Sequence, residues 1–391
     1  PMSISGELSL NITTNATTSV DLNPTSGDIH NLTLASTGTS LIINSENTCT
    51  LTGDLTITKG KFNANSNNLS VAGTITVNSV AGGDAEIDIG DVVADCAKIA
   101  VESGDTITAA HSSNALTVDG NGIGTGRSID FTGIISGTLD IICTHPNTTE
   151  ADLSASSGVI NHLTLNHASL VMKMNSSATV TALTITAGEF STVDSGGNSK
   201  DLTVADVVTV NGSLTGNGST LLFGSLKGTG TFNAPTTTVT IDDRDESTGK
   251  AIDVDAMTIA TNDFNVTLTS AKNQDLDIGD DKIHDLTINN DTDARINYLA
   301  ANGSIDGDLT ITRGIFDTFN RTLTVDGDCS IAADGKLEAN VNGGKDVTLG
   351  SLTIASGGIY NATRETTTIT GESGSGVNLS NSGTFTHNKG T

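Results

Sequence analysis

Three histidines lie near the same position of a recurring motif: His30, His162 and His284. Histidine titrates near neutral pH and is a common metal ligand, so such a set could form a metal site or a pH sensor. His162, however, stands one residue nearer to the leucine that follows it, which places it on the opposite side of its strand. The three copies are also far apart along the chain. We therefore expect surface or turn positions and not one shared site.

Acidic residues cluster in three segments, 84–91, 242–246 and 275–281. Calcium takes about six to eight oxygen ligands, which carboxylate-rich loops can supply. None of the segments has the spacing of an EF-hand loop or of a calcium-binding nonapeptide repeat. We expect solvated acidic turns, and the question of a metal site stays open on the sequence alone.

No arrangement of residues predicts catalysis. Glycan-cleaving β-helices use paired carboxylates in a groove, but Asp and Glu total 45, so any one pair carries little weight. No cluster of basic residues with aromatic platforms is visible, and no Gly-x-Ser-x-Gly elbow is evident. The glycine-rich segment 120–126 lacks the amphipathic helix that a phosphate-binding loop needs. We predict no catalytic residues, no cofactor-binding residues and no cofactor.

The four cysteines are widely separated and form no Cys-x-x-Cys pair, so neither a zinc site nor a redox motif is predicted. They are Cys49, Cys96, Cys143 and Cys329. A chain of 391 residues does not need disulfides to hold a core, although disulfides remain the alternative. We expect four free and mostly buried thiols.

The composition limits both the fold and the partners. Aromatic residues make up 3 % of the chain, tryptophan is absent, and the formal net charge is −27. A core must be built from small aliphatic side chains, because the large aromatics of ordinary globular cores are scarce. The negative charge disfavours binding to nucleic acid and to anionic membranes. No stretch approaches the ~18 apolar residues of a membrane span, and no signal peptide is visible at the N-terminus.

A segment with the pattern Leu-Thr-Ile followed by Gly-x-Phe occurs three times, in residues 55–62, 183–190 and 309–316. The leucines that open the copies are 128 and 126 residues apart. Each copy is preceded by a Leu-Thr-Leu or Leu-Thr-Ile segment and followed by a Leu-x-Val segment. Three markers in one order, three times, predict three diverged copies of one unit of about 127 residues.

The strand-like pieces within each unit are short. Leu-Thr-Ile places two apolar residues on one face and threonine on the other, which is the period-two pattern of a half-buried strand. Gly, Asn, Asp and Ser cluster between these pieces, as turns require. The first two markers are 23, 20 and 23 residues apart in the three units. This distance suits one turn of a β-helix with three short strands, and helix should be minor.

Two all-β architectures fit such strands. An antiparallel sandwich array would use hairpins and a larger aromatic core, whereas a parallel solenoid stacks like residues on like and tolerates small side chains and Gly or Asn corners. The scarcity of aromatics, the many asparagines and the short period favour the solenoid. We predict a parallel β-solenoid of about 17 to 19 turns, right-handed because parallel crossovers almost always are.

The repeated aromatic and threonine residues have expected directions. Phe62, Phe190 and Phe316, with Tyr360 in a similar context, should pack inside at one corner, and a ligand-stacking role is the alternative. The Thr-x-Thr pair that begins at Thr56 and its copies should face outward. A regular outward threonine array could order water, as on an ice-binding face, but it would need the pair on successive turns. Because the pair returns once per unit, we expect threonines that simply favour strands.

The order of markers, xLTLxx, then GDLTITxGxFxxxxxxLxVxG, then GTFxx, covers residues 29–391. It resembles the Gly/Thr-rich β-helical repeats of large virion appendage proteins of tailed phages, and similar repeats occur in secreted bacterial adhesins. The resemblance implies partners among virion proteins or copies of the same chain, with a trimer as the assembly, and a cell-surface glycan as a further candidate partner. The family has no single set of active residues, so none is carried over.

We expect four segments: an N-terminal cap or first turn in 1–28, and solenoid units in 29–158, 159–282 and 283–391. The last unit should be truncated, because residues 383–388 match 228–233 and stop before the strand that follows the earlier match.

The leading hypothesis is a structural virion protein, a rigid fibre, horn or decoration segment at the virion surface, and not an enzyme. One alternative is a secreted adhesin at the bacterial cell surface. The other is a β-helix polysaccharide lyase or hydrolase.

Overall fold

The computed structural model describes residues 8–13, 19–23, 29–36, 41–79, 84–120, 126–145, 150–260, 264–280, 282–339, 344–371 and 376–389. These residues form strands, turns and bends, and no helix occurs among them. Their strand pairs run parallel throughout the chain, with one isolated antiparallel bridge between Val193 and Ser199. The fold is a parallel β-solenoid of about 15 turns, which confirms the predicted fold class and excludes the antiparallel sandwich. Its handedness stays a prediction.

The chain divides into two compact units, Pro1–Asp201 and Leu202–Thr391. The boundary lies inside the predicted repeat unit 159–282, so the division into three repeats remains a prediction from the sequence. No helix in the described part of either unit is long and apolar enough to cross a membrane.

The first unit is built from strands that pair with strands of the turns before and after them. Its strands are β1 (Leu8–Ile12), β2 (Ser19–Leu22), β3 (Ile29–Ala35), β4 (Ile42–Ser45), β5 (Cys49–Leu51), β6 (Leu55–Asn63), β7 (Leu69–Val77), β8 (Ala85–Gly90), β9 (Ala94–Val101), β10 (Thr106–Ala110), β11 (Leu116–Val118), β12 (Gly126–Phe131), β13 (Ile134–Thr138), β14 (Asp140–Cys143), β15 (Glu150–Ala155), β16 (Ile160–Met174) and β17 (Ala178–Ser191). Strands β1 and β2 pair with β3 and β4, so the described part of residues 1–28 belongs to a solenoid turn.

The second unit follows the same plan. Its strands are β18 (Leu202–Val210), β19 (Ser213–Thr215), β20 (Leu221–Gly228), β21 (Thr231–Asn233), β22 (Val239–Ile241), β23 (Lys250–Asp253), β24 (Thr258–Ile259), β25 (Val266–Leu268), β26 (Gln274–Asp277), β27 (Leu286–Asn289), β28 (Ile296–Leu299), β29 (Gly303–Ile305), β30 (Leu309–Asp317), β31 (Leu323–Glu338), β32 (Val347–Ile354), β33 (Ile359–Asn361), β34 (Thr367–Ile369), β35 (Leu379–Asn381) and β36 (Thr384–Thr386).

The first two sequence markers of each repeat stack directly on one another. The Cα partners in neighbouring turns are Leu32 with Leu55, Leu163 with Leu183, and Leu286 with Leu309. The marker distances of 23, 20 and 23 residues therefore correspond to one turn each, as predicted. Other turns are longer: 27 residues separate the stacked pair Val239 and Val266. Because of such longer turns, the chain makes fewer turns than the 17 to 19 that a constant short period predicts.

The core consists of vertical columns of aliphatic side chains. One column in the second unit passes from Val239 through Val266 to Leu286 and continues to Leu309 and Cys329. All five side chains are buried. Burying a Leu or Val side chain contributes about 1.5–3 kcal/mol, but here the covering surface belongs to the turns above and below. A turn is therefore stable only as part of the stack.

The repeated aromatics pack inside, as the sequence predicts. Phe62, Phe190, Phe316 and Tyr360 are each 0 % exposed. Phe316 stacks on Leu337, which in turn stacks on Tyr360, so two of these rings share one inward column. A ligand-stacking role for these four rings is excluded because they have no access to solvent.

All four cysteines are free and buried, which confirms the expectation for the thiols and removes the disulfide alternative. Cys96 and Cys143 occupy the same inward column, separated by Val118. Burial raises the pKa of the Cys49 thiol to about 11 and that of Cys143 to about 12. Such thiols stay protonated at neutral pH and behave as small apolar side chains.

The Gly-Asp-Leu motif forms a ladder of hydrogen bonds along one corner. In the second unit, Asp285 Oδ1 accepts a hydrogen bond from the backbone N–H of Asp308 at 2.8 Å, and Asp308 Oδ1 accepts one from Asp328 at 2.7 Å. In the first unit Asn31 does the same for the N–H of Asp54 at 2.8 Å. Each side chain thus binds the backbone of the following turn.

The glycine before each residue that donates its backbone N–H leaves room for the ladder. A Cβ atom on Gly307 would lie 2.8 Å from the backbone oxygen of His284 and would also overlap Asp285 Oδ1. Gly53, Gly73 and Gly327 are crowded in the same way by the turn before them. The Gly-Asp pair is therefore a consequence of close stacking at this corner.

We predict that Asp308→Ala lowers the free energy of unfolding by about 1 kcal/mol, comparable to the loss of a helix cap, because the N–H of Asp328 loses its acceptor. Asp308→Asn is the matched control: it keeps Oδ1, and Asn31 already fills the same role in the first unit. Equilibrium urea unfolding followed by circular dichroism measures both. An equal loss in the Ala and Asn variants would contradict the ladder.

Candidate functional site

The three repeated histidines, His30, His162 and His284, lie at the surface, as expected. Each ring lies near a side chain of a neighbouring turn: His30 Nδ1 is 3.1 Å from Thr52 Oγ1, His162 Nε2 is 2.9 Å from Thr184 Oγ1, and His284 Nδ1 is 3.7 Å from Asp306 Oδ2. All three side chains are half-buried. Within the described residues, no group of three or more His, Cys, Asp or Glu side chains is placed to hold a metal ion.

The acidic segment 84–91 contributes to an ion-paired surface. Glu86 and Asp88 lie 2.9 and 2.8 Å from the Nζ atom of Lys61. Burial alone would lower the pKa of Lys61, but its bonds to Asp88 and Glu86 outweigh that effect and raise the pKa. Both carboxylates are therefore paired with a lysine of the preceding turn, whereas the sequence analysis predicted that they would be solvated.

The other two acidic segments are arranged in the same way. Asp245 lies 2.6 Å from Lys227, Asp243 lies 2.9 Å from Lys272, and Asp277 lies 2.9 Å from Lys250. In each of these pairs a lysine from a neighbouring turn neutralises the carboxylate. Asp281, at the end of the third segment, lies outside the described residues, as do residues 121–125 of the glycine-rich segment.

The outward hydroxyl groups form a longer array than the sequence predicts. In the second unit one residue with a hydroxyl group occupies the same outward position on seven successive turns: Thr240, Thr267, Thr287, Thr310, Ser330, Thr353 and Ser380. This single position continues from turn to turn because serines and threonines outside the motif stack in register with it.

The second threonine of the pair does not continue in this way. Ala332 and Ala355 stand two residues after Ser330 and Thr353. The result is one column of hydroxyl groups and not a two-dimensional array of threonine pairs. It therefore lacks the second row that an ordered water lattice would need.

An open cleft with two aromatic side chains lies on another face of the second unit. Its volume is about 460 Å³, and its lining consists of Asp275, Tyr298, Leu299, Ala300, Phe319 and Arg321. The rings of Tyr298 and Phe319 meet edge to face, with centroids 5.5 Å apart and planes at 73°. Tyr298 is half-buried and Phe319 is 43 % exposed.

Strand stacking places two residues of the cleft lining, Asp275 and Tyr298, on neighbouring turns. Asp275 in β26, Tyr298 in β28 and Asp317 in β30 are Cα partners on three successive turns. Burial raises the pKa of Asp275 above its ordinary value, against the opposing charges of Lys250 and Arg244. Neither Asp275 nor Arg321 forms an ion pair with any other residue that the structure describes.

A tight turn after β30 holds Phe319 over the cleft. The residues at its centre, Phe319 and Asn320, have φ angles of 45° and 62°, and Arg321 N donates to Thr318 O at 2.9 Å. Two positive φ angles with this hydrogen bond define a type I′ turn. Asp317 Oδ1 also accepts a hydrogen bond from Phe319 N at 2.8 Å, which binds its carboxylate into the turn.

The first unit has the same turn at the corresponding place of its repeat. Asn65 and Ser66 have φ angles of 53° and 63°, and Asn63 Oδ1 accepts from Asn65 N at 2.9 Å. Asparagine tolerates positive φ, whereas an aromatic residue there is a strained exception. Phe319 therefore occupies a position for which the turn itself favours asparagine.

Sequence reasoning missed this cleft, since no aromatic platform is visible in the linear pattern. Tyr298 and Phe319 are 21 residues apart and belong to different motifs. A comparison of repeat copies contains one signal: the residue three positions after Phe62 is Asn65, and the residue three positions after Phe316 is Phe319.

No known protein guides the interpretation of this cleft, which rests on its geometry. No protein-family model matches the chain, and neither the curated proteins nor the solved structures contain a significant match.

We predict that Phe319→Asn is more stable than Phe319→Ala by about 1 kcal/mol, because alanine pays the cost of the left-handed conformation that asparagine tolerates. Both variants remove the same ring, so the loss of the contact with Tyr298 cancels in the comparison. Urea unfolding midpoints measure the difference. Equal stability of the two variants would show that the turn exerts no such preference.

We expect Asp245→Asn to lower the free energy of unfolding at neutral pH by about 1.5–3 kcal/mol, the range for a hydrogen bond to a charged group. Burial alone would raise the pKa of Asp245, but the bonds from Lys227 and Ser247 outweigh it and hold the pKa well below its ordinary value. A lowered carboxyl pKa stabilises the fold above the ordinary carboxyl pKa of ~4 and less as the pH falls below it.

The difference between the wild type and Asp245→Asn should therefore be constant above about pH 5 and shrink below about pH 4. Urea unfolding at a series of pH values measures it. Glu246→Gln is the control, since that exposed carboxylate lies at the edge of the same cluster. A gap that widens on acidification would contradict the assignment.

Proposed function

We propose that the chain is a structural solenoid segment that presents side chains at the surface of an extracellular assembly, in the manner of an appendage of a tailed-phage virion. The observation that carries the proposal is the unbroken vertical stacking within each unit. Inward columns such as Val239, Val266 and Leu286 are buried between the turns before and after them. In a protein of this kind the inward-facing residues form an extended scaffold, and the outward-facing residues are free to vary.

The electrostatics of the surface support the same role. Lysines such as Lys61 and Lys250 pair with carboxylates of the next turn, which removes repulsion between turns, while the net charge of −27 opposes aggregation. The repeat pattern resembles that of virion appendage proteins, which favours the phage assembly among surface structures.

A secreted bacterial adhesin is the second candidate, favoured by the exposed aromatic cleft at Tyr298 and Phe319. A polysaccharide lyase or hydrolase has less support. Two carboxylates stack in register with Tyr298, those of Asp275 and Asp317, and the second of these is bound to the backbone of its own turn. Asp317 is also only 4 % exposed and does not line the cleft, so its carboxylate is not presented to a substrate there.

Immunogold electron microscopy tests the proposal. Antibodies against the purified chain are applied to phage particles and to bacterial cells from the source culture, with pre-absorbed antibody as the control. We expect gold on projections of the particles. Gold on the cell envelope alone would favour the adhesin, and release of reducing ends from polysaccharides by the purified chain would overturn the structural role.

A further inference from the structure

We infer that the cleft formed by Tyr298, Phe319, Arg321 and Asp275 binds the ring of an uncharged saccharide. The inference deepens the proposed function, on which it rests for the presence of a glycan-bearing surface, and it names the residues that would contact that surface. The cleft lies within one unit and is open to solvent.

The shape of the cleft suits a ring-shaped ligand. Its volume of about 460 Å³ falls in the range of about 300–1,000 Å³ typical of small-molecule sites. The planes of Tyr298 and Phe319 stand at 73° to each other and form two walls of a corner. A flat ligand can lie against one face while its edge meets the other wall.

The chemistry of the walls matches the apolar face of a sugar. The face of an aromatic ring carries partial negative charge, and the C–H groups of one side of a pyranose ring carry partial positive charge. Stacking buries these C–H groups and leaves the hydroxyl groups at the ring edge. Leu299, whose side chain is buried in the core, and Ala300 complete the lining.

The polar groups of the cleft can satisfy those hydroxyl groups. Arg321 offers guanidinium N–H donors and Asp275 offers carboxylate acceptors. Because neither side chain is engaged in an ion pair within the described residues, both are available to a ligand. The carboxylate of Asp275 and the formal charge of −27 disfavour an anionic sugar, so the favoured ligand is uncharged.

The strain at Phe319 is the independent observation. The corresponding turn of the first unit places Asn65 at this position with the same backbone conformation and the same hydrogen bond to the preceding side chain. Folding therefore does not require an aromatic ring there. Strained residues that persist in this way are concentrated at binding and active sites.

A protein partner fits the cleft less well. A stable protein interface buries about 1,200–2,000 Å², whereas the exposed apolar surface here is confined to two rings and their immediate lining. The cleft matches a ligand of one or two sugar rings, and repeated weak binding of that kind suits a surface protein present in many copies.

The intrinsic fluorescence of the protein provides a direct probe. The chain has no tryptophan and two tyrosines. Tyr360 is buried, and its hydroxyl oxygen is 2.9 Å from Thr367 Oγ1. A ligand in the cleft should therefore change the emission of Tyr298 against a constant background.

The experiment is an array of neutral hexose, deoxyhexose and N-acetylhexosamine oligosaccharides, with sialylated and uronic-acid glycans on the same array. Positive neutral glycans are then titrated while tyrosine fluorescence is recorded. We expect binding to at least one neutral class and a loss of affinity of about tenfold or more in Phe319→Asn and Arg321→Ala, as for central aromatic and arginine contacts. Arg313→Ala, at an exposed arginine outside the cleft, should bind as the wild type does.

Three results would overturn the inference: no binding to any neutral glycan, binding to anionic glycans alone, or neutral-glycan binding that Phe319→Asn and Arg321→Ala leave unchanged. Circular dichroism and urea unfolding of each variant establish that a loss of binding is not a loss of fold. Gold-labelled projections without glycan binding would contradict the glycan site and leave the proposed virion role standing. Glycan binding through the cleft with gold confined to cells would defeat the virion role and leave the site standing.

Discussion

Vertical stacking of one turn on the next is the constraint from which the rest of this structure follows. A single turn of about twenty residues has a few Leu, Ile or Val side chains and cannot cover them by itself. The column from Val239 to Cys329 is buried only because each member lies between the turns before and after it. The backbone path must therefore repeat closely at each corner. The Gly-Asp pair at Gly307 and Asp308 meets that need, since glycine allows the close approach and aspartate binds the following turn.

Stacking also determines how so acidic a chain tolerates its charge. Parallel strands place side chains of successive turns a few ångströms apart, where like charges would repel. The structure instead places lysines between carboxylates of neighbouring turns, as Lys250 does for Asp253 and Asp277. Such partly exposed pairs are individually weak. Their main effect is to remove repulsion along faces where every turn contributes a charge.

Strain and variation are confined to the corners, and this separates the scaffold from the candidate site. A changed side chain in an inward column contacts the turns on both sides of it, as Leu337 does between Phe316 and Tyr360. A corner turn such as the one at Phe319 faces solvent, and its hydrogen bonds to Asp317 and between Thr318 and Arg321 hold its backbone whatever the outward side chain is. The same turn can therefore present Asn65 in one repeat and an aromatic ring in another.

The sequence by itself determined the all-β parallel solenoid, the marker distance of one turn and the inward direction of Phe62 and its copies. These features depend on local alternation and on repeats, which are visible in the linear order. The tertiary structure alone decided the hydroxyl column and the cleft between Tyr298 and Phe319. Turns vary in length, with 18 residues between Leu221 and Val239 and 27 between Val239 and Val266. A constant period cannot predict which side chains meet, because the register of each pair of strands is set by packing.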